Sequence, residues 1–225
     1  MPHRLFAPSV APYREPMRQP LVLDDVDAVC GRASTPEELR AGAGQLTAWA
    51  EERRPDDEIS PASLLVTAGG LLSKAGDHGA AVDTVRRALG VGGSVPPDVR
   101  CYLHRTLLEV GDVEGARLLA DDLRREHPSD GDVYLFVAAS YERADSAREA
   151  HRWATLGLLH MAARIGEGDE SAAEAAAALA QARYRVRRKL DLPIDEYDSP
   201  VERARRDAAG FTSLPAAAER GRVTR

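Results

Sequence analysis

Apolar residues recur every three or four positions between residues 36 and 190, which is the spacing of one face of an α-helix. Gly, Pro and acidic residues interrupt the pattern at intervals and mark turns between helices. The pattern predicts a helical domain at 35–190, which begins with a cap helix at 36–54 and ends with a cap helix at 170–190. Three helical hairpins fill the space between the caps, at about 61–93, 97–128 and 131–163.

The three hairpins repeat one another with a period of about 34 residues. Each has a two-residue turn and an alanine five residues after the first turn residue, and these alanines are 35 and 34 residues apart. A period of this length is typical of stacked hairpins, each too small to bury its apolar face alone. The predicted fold is therefore all-α, an array of helical hairpins with terminal capping helices. The turns and alanines are Gly76-Asp77 with Ala81, Gly111-Asp112 with Ala116, and Asp145-Ser146 with Ala150.

Two helix starts carry a capping-box pattern, in which a hydroxyl residue precedes a glutamate by three positions. Thr35 and Glu38 open the first cap helix. Ser199 and Glu202 predict a short helix that runs to about Ala209.

The ends of the chain differ from the repeats. Residues 1–34 are predicted to be a disordered or extended segment, because residues 1–20 are rich in Pro, Arg and polar side chains and cannot offset the entropy of folding. Residues 21–29 alternate loosely and leave open a strand fragment or a first helical turn. Residues 191–225 are predicted to be an acidic segment, a short helix and a tail. The basic cluster at 183–189 is interpreted as charge that offsets a helix dipole.

Composition narrows the class of partner. The net charge is -6 and the pI is about 5.6, so the field of the whole molecule does not attract nucleic acid or anionic lipid. No apolar stretch approaches the roughly 18 residues of a membrane helix. Of the 30 basic residues only Lys74 and Lys189 are lysines, a bias better explained by a GC-rich, bacterial coding sequence than by recognition chemistry. We expect neither a specific nucleic acid nor a membrane as a partner.

Cysteine content and the N-terminus bear on the compartment. Cys30 and Cys101 are the only cysteines, which is too few for a disulfide framework. The first 18 residues hold four prolines and no apolar run of signal-peptide length. The sequence therefore predicts a cytoplasmic protein.

With its repeats aligned, the chain resembles the tetratricopeptide repeat (TPR) family of helix-turn-helix units. In the third hairpin Tyr134 occupies the site where the family favours Trp, and Ala138 and Tyr141 occupy its small and aromatic sites. Ala150 occupies the position of the alanine at the helix crossing. The resemblance covers roughly residues 61–160, and it implies a right-handed superhelix.

The second hairpin departs most from the family pattern. Arg100 stands at the site of Trp and His104 at the site of a small residue, so we expect this hairpin to pack more loosely or to be rotated. In the third hairpin Gly157 replaces a late alanine. Residues 186–198 also resemble actinobacterial repeat proteins, some of which carry a Cys-rich SEC-C metal segment. The chain has no such cysteine cluster, so the resemblance does not extend to that metal chemistry.

The TPR resemblance also implies a binding surface. In that family the first helix of each hairpin lines a concave face that receives an extended peptide. Matching positions mix charged and apolar side chains, which suits ion pairs around an apolar strip. The same residues are also consistent with solvated charges, or with a surface that the chain's own C-terminal helix covers. The predicted partner-binding residues are Lys74, Cys101, Arg105, Leu108, Glu109, Leu135, Glu142 and Arg143.

Catalytic and metal sites are weakly indicated. Cys101 and His104 share a helical face, but a zinc site needs two more ligands and a nucleophilic cysteine needs an oxyanion hole. We therefore predict no catalytic residue, no metal and no cofactor. The predicted function is a non-catalytic scaffold that binds a protein or peptide on the concave face. The alternative is an accessory or regulatory protein whose C-terminal segment occupies that face, and a metal-binding or hydrolytic enzyme is the least favoured reading.

Overall fold

The structure, a computed structural model, describes the backbone of residues 18–212 and the side chains of residues 18–206. All regular elements in that range are helical, which confirms the predicted all-α class. A short 3₁₀ turn, Glu170–Ala172, precedes the ninth helix. The helices are α1 (Leu23–Arg32), α2 (Pro36–Glu51), α3 (Pro61–Lys74), α4 (His78–Gly90), α5 (Val99–Glu109), α6 (Val113–Arg125), α7 (Gly131–Arg143), α8 (Ala147–Gly166), α9 (Ala173–Lys189) and α10 (Ser199–Thr212).

The prediction of an extended or disordered segment at 1–34 is wrong where α1 forms. Val26 and Val29 of α1 are buried in the core shared with α2 and α3. The chain before α1 is also held, because Asp57 accepts hydrogen bonds from the Leu21 amide and from Arg18, at 2.8 and 2.7 Å. Two apolar residues are a weak local signal, and contacts with distant residues supply the rest. Residues 1–17 lie outside the described range.

The three predicted turns share one backbone conformation. The first turn residue is left-handed in each, with φ of 83° at Gly76, 84° at Gly111 and 53° at Asp145. The next amide then donates to the carbonyl five residues back, at 2.9 Å in all three turns. This is the hydrogen bond of a Schellman helix end, so the repeat seen in the sequence is also a repeat of backbone geometry.

Asp145 is the only one of the three left-handed positions without glycine, and this predicts a stabilising substitution. Asp145→Gly should raise the free energy of unfolding by about 0.5–1 kcal/mol, because a Cβ in the left-handed region is strained. Urea denaturation measures the change. In the matched control, Ala144→Gly at a φ of -85°, a glycine is introduced next to Asp145 without relief of strain, and the protein should be destabilised. A loss of stability in Asp145→Gly would contradict the interpretation.

The helices form successive pairs whose first members pack on the pair before. Thus α5 contacts α3 and α4, and α9 contacts α7 and α8. The alanine in the first turn of the second helix is 0% exposed in all three hairpins, at Ala81, Ala116 and Ala150. Buried apolar residues divide into two clusters, and the division falls within α5 and α6. That hairpin is the one whose first helix departs most from the repeat pattern.

The C-terminal cap helix packs as the first helix of a further pair, with α10 as its second member. Helix α10 begins at Ser199 as predicted, but not through a capping box. The Glu202 carboxylate accepts a hydrogen bond from the Tyr184 hydroxyl of α9 and pairs with Arg206. Glu202 therefore holds α10 against α9 instead of capping it.

Candidate functional site

Most of the predicted binding residues lie together on the first helices of the three hairpins. We call this region the α3–α5–α7 surface. Lys74 and Arg143 are exposed, whereas Arg105, Leu108, Glu109, Leu135 and Glu142 are partly buried. Two aromatic residues that the sequence analysis did not select, Tyr102 and Phe136, are also part of the surface.

Arg105 is the centre of the α3–α5–α7 surface. Its guanidinium lies 5.5 Å from the Tyr102 ring centroid and 5.4 Å from that of Phe136, and the two centroids are 4.7 Å apart. Arg105 also reaches Gly70 of α3, where a Cβ would lie at an ordinary van der Waals distance of 4.0 Å from Nη2. Arg105 therefore contacts residues of α3, α5 and α7. Its cation–π contacts are partly desolvated, and such contacts contribute more to stability than exposed ones.

Acidic and basic neighbours fix the position of Arg105. Glu109 lies one turn away with an Nε to Oε1 distance of 3.7 Å, and the two side chains are 23% and 24% exposed. The Ser73 hydroxyl of α3 donates a hydrogen bond to the same carboxylate. Burial lowers the pKa of Arg105, Glu109 opposes this, and the nearby charge of Arg143 adds to it. The cluster is thus a packed polar network and not a set of free solvated charges.

Helix α9 extends this surface through Glu142 of α7. Glu142 lies 2.8 Å from Arg185 Nη2 and 2.6 Å from Lys189 Nζ. Hydrogen bonds from Arg185 and then Lys189 lower the pKa of Glu142 to about 2. The sequence pattern indicates for these two basic residues only that they offset the helix dipole. Their spacing of four was the available signal that both lie on the face of α9 toward α7.

Cys101 does not belong to the surface, and its selection as a binding residue is wrong. Its side chain is 0% exposed and packs in the second core cluster. Burial raises the pKa of its thiol to about 12, which keeps it protonated at neutral pH. The expected outward position failed because α5, which packs on α7, places Cys101 inside this cluster.

His104 is also fully buried, and it packs edge-on against Tyr141 with ring centroids 4.6 Å apart. Neither ring nitrogen has a hydrogen-bond partner among the described residues. Burial lowers the pKa of this imidazole to about 4, so it is neutral at pH 7. Residues 18–206 contain no cluster of three or more His, Cys, Asp or Glu side chains placed to hold a metal ion.

A buried ionic network binds the segment after α9 to α8 and α9. Asp198, 1% exposed, accepts hydrogen bonds from Arg183 Nη1 at 2.7 Å and Arg187 Nε at 2.8 Å. Asp195 accepts from Arg183 at 3.0 Å, and Thr155 of α8 accepts from Arg183 Nε at 3.1 Å. The hydrogen bond from Arg183 is the main cause that lowers the pKa of Asp195 to about 2. Two arginines and two aspartates therefore compensate one another where water is largely excluded.

The position of this network bears on the regulatory alternative. The polar contacts that residues 191–206 make within the described chain go to one another and to α9. None reaches the predicted binding residues on α3, α5 or α7. These contacts give no support to a C-terminal segment folded over the α3–α5–α7 surface.

A second concave region lies between α6 and α8, outside the predicted site. It is a groove of about 400 Å³ with an apolar floor and charged rims. Trp153, Leu156 and Leu159 of α8 line it together with Tyr141, while Arg117 and Arg124 of α6 form one rim. Nothing in the structure indicates what covers this groove.

In comparisons with known proteins, no family model, no curated protein and no solved structure matches this chain. None of the helices in the described part of the chain is long and apolar enough to cross a lipid bilayer.

Proposed function

We propose that this protein is a non-catalytic, cytoplasmic interaction scaffold of the TPR type, and that it binds an extended acidic peptide on the α3–α5–α7 surface. The observation that carries the proposal is the Arg105 cluster. It joins three helices from three successive pairs and presents an arginine whose guanidinium lies over two adjacent aromatic rings. A positioned arginine of this kind has lost part of its side-chain entropy before binding, which favours recognition of a carboxylate.

The charge of the surface indicates the chemistry of the peptide. The basic groups of the surface are Lys74, Arg105, Arg143, Arg185 and Lys189, and the acidic ones are Glu109 and Glu142. The excess of positive charge lies on a molecule whose net charge is -6. A peptide with two or more acidic residues would complement it, and charged groups of this kind chiefly improve specificity and association rate.

The apolar part of the surface indicates a second requirement. Leu108 and Leu135 are partly buried beside the Arg105 cluster, and Phe136 exposes part of its ring. Together they form an apolar strip between charged groups. The preferred ligand therefore has a large apolar residue between its acidic residues, because extended peptides use alternate side chains to fill such pockets.

The TPR assignment is supported by two repeated features. The three turns share one hydrogen-bond pattern, and the alanines that follow them are fully buried at the helix crossings. Both features arise when one helix-turn-helix unit is stacked on the next. In such a stack the first helices share one side of the array, which is where the Arg105 cluster lies.

The proposal predicts that a charge reversal on the α3–α5–α7 surface weakens peptide binding. A library of random peptides of about 12 residues, displayed and selected on the full-length protein, should enrich acidic sequences with a central apolar residue. Arg143→Glu should weaken the selected peptides at least tenfold, because it reverses an exposed charge beside Arg105. Fluorescence anisotropy of labelled peptides gives the dissociation constants.

A matched control separates this site from a general charge effect. Arg148 is exposed on α8, a second helix of its pair, and Arg148→Glu makes the same change in net charge. It should leave affinity within a factor of two. If the two variants weaken binding equally, or if selection enriches no acidic sequence, the proposed surface is wrong.

A further inference from the structure

The two ends of the helical array differ in chemistry. Each inner pair of helices is covered by the first helix of the next pair, as α7 and α8 are covered by α9. The last pair, α9 and α10, has no following helix in the described part of the chain. End units of repeat arrays require polar outer faces to remain soluble alone. An apolar face at an end therefore indicates a partner.

The groove between α9 and α10 is such an apolar face. It measures about 670 Å³, and Ala177 and Ala180 of α9 face Val201 and Ala204 of α10 across it. Small side chains let the backbone of another helix approach closely. This groove occupies the place where the first helix of a further pair would pack, because α9 itself lies against both members of the pair before it.

The rim of the groove is mainly basic. Arg205 of α10 lies with its guanidinium 5.6 Å from the ring centroid of Tyr184, and Arg185 lines the groove beside them. Arg203 and Arg206 are exposed on the same helix. Glu196 is the acidic residue at the rim. A helix that fills the groove should thus carry acidic side chains beside a short apolar stretch.

Helix α1, at the other end of the array, has this chemistry on its outward face. Val26 and Val29 are buried on the inner face, whereas Leu23 is 58% exposed. Asp24 and Asp27 flank it on the solvent side. Ala28 and Gly31 are exposed on the same helix, and their small size lets another surface approach its backbone. A Cβ at Gly31 would meet nothing within 4 Å. An acidic helix with one exposed leucine matches the basic groove with an apolar floor.

We propose that the groove between α9 and α10 binds α1 of a second copy of this protein, so that copies associate head to tail. The contact joins two different surfaces, so each copy keeps one free head and one free tail. Association then continues beyond the dimer as concentration rises. It also weakens as salt screens the aspartate and arginine charges. The groove shares Arg185 with the α3–α5–α7 surface, but the contact between copies does not require peptide binding there.

Two variants that each block one end provide the test. Leu23→Arg places a positive charge on the face of α1 that meets the basic rim. Ala177→Arg fills the floor of the groove from an exposed position of α9. Sedimentation velocity of the full-length wild type across a hundredfold range of concentration should show growing oligomers. Each variant alone should associate at least tenfold more weakly.

Mixing the two variants gives the decisive measurement. The groove of Leu23→Arg and the α1 face of Ala177→Arg are both intact, so the mixture should form a 1:1 dimer that does not grow. Leu118→Arg, at an exposed leucine of α6 with 53% exposure, is the control and should associate like the wild type. Circular dichroism confirms that each variant is folded. A wild type that stays monomeric, an equal effect of Leu118→Arg, or a mixture without a dimer each overturns the proposal.

Discussion

Replacing Asp198 with alanine should lower the free energy of unfolding by about 3–5 kcal/mol, because it leaves two buried arginines with only the partly exposed Asp195 as a carboxylate partner. Asp198 is 1% exposed and bonds to both Arg183 and Arg187. The guanidinium groups cannot lose their protons in compensation, since arginine remains charged in proteins. Urea denaturation of the variant and the wild type at pH 7 measures the difference.

The control for this prediction is Glu196→Ala in the same segment. Glu196 is exposed, and Glu196→Ala removes a carboxylate as Asp198→Ala does. The free energy of unfolding should therefore change by no more than about 0.5 kcal/mol. Hydrogen exchange should show where Asp198→Ala acts, with faster exchange in α9 and α10 than in α3 and α4. If Asp198→Ala lowers the free energy of unfolding by less than about 1 kcal/mol, the network does not hold the segment after α9 in place.

Acidification from pH 6.5 to pH 4 should destabilise the protein through His104, by up to about 3 kcal/mol. Burial lowers the pKa of His104 to about 4 in the folded protein, whereas the unfolded chain binds the proton near pH 6.5. Between these values the unfolded state holds more protons than the folded state, so stability falls as pH falls. Above pH 6.5 both states are neutral and this contribution is absent.

The variant His104→Leu tests the source of this pH dependence. Leucine fills a similar volume and removes two nitrogens that have no hydrogen-bond partner in the described structure, so it should also stabilise the protein at pH 7 by about 1 kcal/mol. Urea denaturation at four pH values gives the slope for each protein. The control, His127→Asn, changes an exposed histidine at a φ of 49° and should keep the wild-type slope. If the free energy of unfolding of His104→Leu depends on pH as steeply as that of the wild type, His104 is not the source of the pH dependence.

The local features of the repeats were predictable because they depend on residues close in sequence. Gly76 and Gly111 supply the left-handed turn conformation at no steric cost, and Thr35 and Glu38 form the capping box that their spacing predicts. Ala81, Ala116 and Ala150 are 0% exposed in the second helices of the hairpins. At Gly157 the close packing excludes a side chain, since a Cβ there would lie 2.5 Å from the Cβ of Tyr134.

The binding surface was only partly predictable. Arg105, Glu109 and Arg143 lie where the helical spacing places them, but that spacing alone could not exclude Cys101 from the same face. A rotation of α5 by a fraction of a turn is enough to bury Cys101 and to bring Tyr102 beside Phe136. Such a rotation is set by how α5 packs on α7, which no pattern within α5 records.

The sequence by itself determined the helices of the repeats, their period and their turns, because helical spacing and backbone conformation are local properties. Only the tertiary structure decided the roles of the charged residues. Arg183 and Arg187 resemble ordinary helix-end charges in the sequence, yet they are buried against Asp195 and Asp198. Residues 23–32 have a weak apolar pattern, and they form α1 because Val26 and Val29 are buried against α2 and α3. Burial depends on what lies across the interface, and that partner is distant along the chain.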